Sequence, residues 1–132
     1  MKRKHFLMIS TFVAWAFSLG MMVAPDGFTA GIMVLPPSPA VNAWAQFLGT
    51  NLFAIGVINL FAAGNAWNRA VFGVLVGNIV LHALGMVFDW AAYQRNIVSF
   101  QGVLQGSVVH IVFIAGFCYY AFKKSTRGEA TV

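Results

Sequence analysis

Asn51, Asn59, Asn78, His82, Asp89 and His110 stand inside otherwise apolar stretches, and any chemistry would have to reside in such groups. A polar side chain in hydrocarbon is expensive, so it turns toward the protein interior or a cavity. Asn78, His82 and Asp89 are spaced i, i+4 and i+11, which puts them within a stripe of roughly 40° on one helix. Asn51 and Asn59 lie within roughly 80° of each other by the same arithmetic. Histidine donates, accepts or ligates, and a carboxylate accepts a proton or pairs with a cation.

Counted from span midpoints, Asn51, His82 and His110 share one level. Gln46, Asp89 and Gln105 lie toward the outer side, and Asn59 and Asn78 toward the cytoplasm. If the stripes face inward, three helices present hydrogen-bonding groups near the midplane. The plainest use is mutual hydrogen bonding that fixes helix register. The alternative is an interior site for a small hydrophobic molecule, lined by Asn51, His82, Asp89 and His110. Two histidines at one depth also suit a bis-histidine haem, with Gly85 and Gly106 leaving room for the macrocycle. The haem propionates would find only Arg95 on the outer side. Asp89 is read either as a proton or cation contact above His82, or as an interfacial carboxylate paired with Arg95 or bonded to Gln105.

Other chemistry finds little support. No nucleophile–base pair, phosphate-cradling loop or HExxH motif is visible. Ser107 precedes His110 by three residues and is expected to bond the preceding turn. Cys118 is the lone cysteine, so no intrachain disulfide forms and no CxxC site exists. No metal site is expected.

The elements that position these residues follow from composition. The 132 residues are 60% apolar and 8% charged, whereas soluble domains carry about 25% charge. So few charges cannot cover a water-facing surface, and disorder is excluded for the same reason. The reading is one membrane domain over 1–132, with four spans at about Phe6–Ala24, Val41–Ala63, Ala70–Ala92 and Val103–Phe122. The first run exceeds the ~7–15 residues of a signal-peptide core and is read as an uncleaved span. Pro25 and Asp26 end it, a short interfacial helix is expected after Asp26, and Pro36-Pro37-Ser38-Pro39 blocks any continuation. The tail from Lys123 is polar and expected to be mobile.

Net charge is +5, concentrated at the chain ends, a pattern of membrane anchors rather than of nucleic-acid binding. With the N-terminus cytoplasmic, Lys2, Arg3, Lys4, Arg69, Lys123, Lys124 and Arg127 share that side and only Arg95 lies opposite. Both termini are therefore expected to be cytoplasmic. Trp44, Trp67, Trp90, Tyr93, Tyr119 and Tyr120 sit at span ends, as in an aromatic belt. Short connections imply an antiparallel, left-handed bundle of four transmembrane helices. Small residues form a face at Ala45, Gly49, Gly56 and Ala63, and Gly73 and Gly77 make a GxxxG. Both suit either packing within the chain or docking of a second copy or larger membrane complex.

The order of features resembles the small DoxX-like four-helix membrane proteins of bacteria. The segments that carry the resemblance are Ala24-Pro25-Asp26, "GFTAGIMVLP", "GTNLFAIGVINLFA", "GNIVLHALGMVFD" and "GSVVHIVFIAGFCYY". The resemblance implies a four-helix bundle in the bacterial inner membrane, beside a quinone-like molecule or a partner subunit. It carries over no catalytic residue. The resulting expectation is a non-catalytic accessory subunit or binder of a small hydrophobic molecule. The alternatives are a small subunit of a quinone-linked oxidoreductase, with or without haem, and an oligomeric transporter or proton conduit.

Overall fold

Proline and capping side chains set the helix boundaries in the structure, a computed structural model that describes residues 1–123. Lys124, Arg127 and the tail expected to be mobile lie outside the described residues, Lys123 apart. Helix α1 spans Arg3–Val23 and stops before Pro25, which opens the short α2, Pro25–Ala30. Helix α3 spans Pro39–Gly64, with Pro39 in its first turn and the Ser38 side chain accepting from the Val41 amide. Helix α4 spans Arg69–Gln94 and is capped by Asn68 through the Val71 amide. Helix α5 spans Phe100–Phe122 and is capped by Ser99 through the Gly102 amide. Each cap satisfies an amide that the first helical turn leaves without a partner. Asn96, in the turn between α4 and α5, takes a left-handed conformation with φ 56°, which asparagine tolerates better than most residues.

The four long helices are each long and apolar enough to cross a membrane. Among the described residues there is no strand; Met33 and Val98 form one isolated bridge. The Val34 amide donates to the Ile97 carbonyl and the Ser99 amide to the Ile32 carbonyl, which joins the α2–α3 connection to the start of α5. Large side chains such as Phe61 and Phe88, 70% and 68% exposed, are turned outward, as lipid contact requires.

Helix α1 packs on α3, and α4 on α5. Arg3 donates to the Asn65 carbonyl, Thr11 to Gly56 and Trp15 to Phe53, so residue numbers fall along α3 as they rise along α1. The small-residue face of α3 serves this packing: a Cβ on Gly49 would meet Met22 and the Ser18 carbonyl, and one on Gly56 would overlap the Trp15 indole. The sequence left open whether that face packs inside the chain or against a second copy; Ala45, Gly49 and Gly56 are buried here. Gly73 and Gly77 behave differently, since a Cβ on either meets nothing within 4 Å.

The two helix pairs meet in a core of Phe6, Leu7, Ala62, Leu75, Phe113, Phe117 and Ala121. Phe6 stands edge-on to Phe117 with centroids 4.9 Å apart, a favourable aromatic arrangement. Gly116 admits the Phe6 ring, which would overlap any added Cβ. Beside this core lies a polar knot. Asn59 and Asn78 exchange hydrogen bonds, Nδ2 of Asn78 donating at 2.8 Å and Nδ2 of Asn59 returning at 3.2 Å. Asn59 also donates to Ser10 Oγ at 3.2 Å, and Asn78 to the Val74 carbonyl at 2.8 Å. The knot therefore ties α1, α3 and α4 together at one height.

Candidate functional site

Helices α4 and α5 bring three of the four expected site residues together. His82 Nδ1 and His110 Nδ1 are 2.9 Å apart, a hydrogen-bond distance. On its other edge, His110 Nε2 lies 3.3 Å from Asp89 Oδ2. Glycines make these approaches possible. A Cβ on Gly85 would come within 2.9 Å of the His110 ring, and one on Gly106 within 2.6 Å of Asp89 Oδ2. His110 and Asp89 thus each reach across the interface onto a glycine of the facing helix, where a larger residue would obstruct them.

Aromatic rings define the surroundings. The His82 ring stacks on Phe113, 8° from parallel with centroids 5.2 Å apart, and faces Phe117 at 5.8 Å. Those two phenylalanines belong to the core, so His82 stands at its margin, half-buried. Asp89 is more open, its side chain 36% exposed against 21% for His110. The cluster therefore runs from an accessible carboxylate inward to an imidazole held against aromatic faces. Trp90 Nε1 donates to Ser107 Oγ at 3.1 Å. Ser107 thus accepts from the facing helix, where its own preceding turn was the expected partner.

Asn51 takes no part in this cluster. It is exposed, and its Nδ2 donates to the Phe47 carbonyl one turn back on α3. Its depth suited the site, but its azimuth on α3 does not. Asn59, on the face of α3 that meets α1 and α4, is fully buried instead. Asp89 meets His110 where Arg95 or Gln105 was expected. What distinguishes Asn59 is its neighbour in space, Asn78, which no single helix's periodicity reveals: the two amides satisfy each other, while Asn51 has only its own helix to bond.

A groove of about 200 Å³ runs between α3 and α4, lined by Ile55, Ile58, Val74, Gly77, Asn78 and Leu81. Asn78 stands one turn before His82 on α4. The histidine pair does not fit a haem. Axial ligation needs the two imidazoles separated by the macrocycle, whereas these ring nitrogens are in hydrogen-bond contact and Gly85 backs directly onto His110. No group of three or more His, Cys, Asp or Glu among the described residues is arranged to hold a metal ion.

Comparison with protein-family models, with curated proteins and with solved structures finds no match to this chain.

Proposed function

We propose that this chain is a non-catalytic accessory protein of the bacterial inner membrane. It binds a small hydrophobic molecule through His82, Asp89 and His110. The observation that carries this reading is the convergence of those three side chains, one of them accessible and one laid against the aromatic core. Ionisable groups inside a membrane span mark functional sites by default. An apolar wall with a few converging polar groups is the usual make-up of a small-molecule site. Further support comes from the α3–α4 groove, which offers apolar surface one turn along α4. The resemblance to DoxX-like proteins agrees with an accessory role.

In this proposal the four long helices form an antiparallel bundle, α2 lies in the interface, and both termini face the cytoplasm. The basic residues near the chain ends support that orientation. Reporter fusions after Lys123 and within the α4–α5 turn test it. A cytoplasmic signal from the turn reverses the assignment.

The binding reading is tested on a His82→Ala/His110→Ala double variant, purified in native-membrane nanodiscs and extracted for mass spectrometry. The variant is expected to insert and fold while losing an apolar compound that co-purifies with the parent protein. Equal extracts from the two proteins remove the binding role.

A further inference from the structure

We infer that the His82–His110–Asp89 cluster has a fixed hydrogen-bond polarity, and that it presents the Nε2 lone pair of His82 to a ligand. The site therefore takes apolar molecules that bring a hydroxyl or N–H donor, such as alcohols and phenols. This rests on the binding role proposed above and specifies the chemistry of its ligand.

The argument starts at the accessible end. Asp89 as a carboxylate is acceptor-only. When His110 is neutral, an unprotonated ring nitrogen 3.3 Å from that Oδ2 would set a lone pair against a negative oxygen, so the single proton of the ring sits on Nε2. A neutral imidazole has one N–H, which leaves His110 Nδ1 a bare acceptor. That nitrogen is 2.9 Å from His82 Nδ1, and two lone pairs at this distance repel. His82 must therefore protonate Nδ1 and donate to His110. The proton bookkeeping then leaves His82 Nε2 without a hydrogen. With His110 neutral and Asp89 ionised each step follows from the one before it, so the charge at Asp89 sets the character of a nitrogen two rings away. Carboxylates bonded to the free ring nitrogen of metal-bound histidines fix the tautomer by the same means.

Neighbouring groups leave this order intact. The Trp90 N–H is used by Ser107 and does not compete for Asp89. Gly85 and Gly106 bring no side chain into the cluster. Phe113 and Phe117 cover His82 with ring faces and supply no strong hydrogen-bonding group. A ligand that meets Nε2 with a hydroxyl completes the chain, whereas an ether or carbonyl at that point faces another lone pair.

The test uses the full-length chain in nanodiscs with ¹⁵N-labelled histidine, read by long-range ¹H–¹⁵N correlation at mildly alkaline pH. His82→Gln and His110→Gln variants assign the signals. The expected pattern is His110 protonated on Nε2 and His82 protonated on Nδ1. In Asp89→Asn, whose amide can meet either ring edge, both histidines should show mixed tautomers. Gly106→Ala gives an independent handle, since its methyl displaces the Asp89 carboxylate while leaving the charge in the protein. It should shift the tautomers in the same direction. Titration with para-octylphenol should move the His82 Nε2 signal, and the methyl ether of that phenol should bind about tenfold more weakly, the equivalent of one hydrogen bond. His82 protonated on Nε2 in the parent protein overturns the polarity, whatever binds. The expected tautomers with equal affinity for phenol and ether overturn the donor selectivity. The expected tautomers with no response to either compound remove the ligand site itself.

Discussion

Leucine in place of Asn59 should destabilise the folded bundle by about 1–3 kcal/mol, the cost of leaving buried partners unsatisfied. Asn59 is completely buried, and its amide holds Ser10 on α1 and Asn78 on α4 at once. After the substitution, Asn78 retains its bond to the Val74 carbonyl but its side-chain oxygen loses the Asn59 donor. Membrane-protein double-mutant cycles give such pairs only about 0.6 kcal/mol on average, because the denatured state in lipid also finds partners. The reciprocal geometry here removes two bonds in a single step, so the upper part of that distribution applies. Asn59→Leu/Asn78→Leu should consequently cost less than the sum of the two single variants, since it leaves no half-satisfied amide. Steric-trapping measurements of the four proteins in bicelles close the cycle. Strict additivity would mean that the two amides do not interact in the bilayer.

Gly56→Val should produce a comparable loss by a different route. A Cβ on Gly56 falls inside the Trp15 indole. The indole must then swing away, giving up its hydrogen bond to the Phe53 carbonyl at 3.1 Å and its stacking on Phe53, 17° from parallel with centroids 5.3 Å apart. Thr11 also donates to the Gly56 carbonyl at 3.1 Å, so separating α1 from α3 at this point strains a second bond. Overpacking of this kind costs about 1–3 kcal/mol. Trp15→Leu in the Gly56→Val background should recover part of the loss, because it removes the obstructing ring. Gly77→Ala serves as the control: nothing lies within 4 Å of its added methyl, and alanine favours the helix by about 1 kcal/mol. Denaturant or steric-trap titrations that rank Gly77→Ala below Gly56→Val in stability would contradict the assignment of the two glycine faces.

Much of the architecture was legible because lipid imposes a simple rule. Every backbone group in hydrocarbon must be satisfied within its own segment, so runs of about 20 apolar residues read as helices. The expected spans agree with α1, α3, α4 and α5 to within a few residues, and the break at Pro25 and the restart at Pro39 follow from proline geometry. The helical stripe through His82 and Asp89 was also legible, since one helix carries both and its periodicity is fixed.

Placement across helices was a different matter. Depth can be counted from a span midpoint, and it set His82 and His110 at one level, as their 2.9 Å contact requires. Rotation of one helix relative to another has no counterpart in a single chain's periodicity when the helix is apolar on every side. Asn51 shared the right depth but turned outward to bond Phe47, while Asn59, two turns further on, became the buried partner of Asn78. Asp89 met His110 because Gly106 leaves a gap where another residue would place a methyl group. Composition and periodicity were enough to specify four apolar helices, their breaks and the heights of their polar groups, because these depend on local chain geometry and the solvent. Tertiary structure alone decided which polar groups met, because that depends on the side chains facing one another across each helix pair.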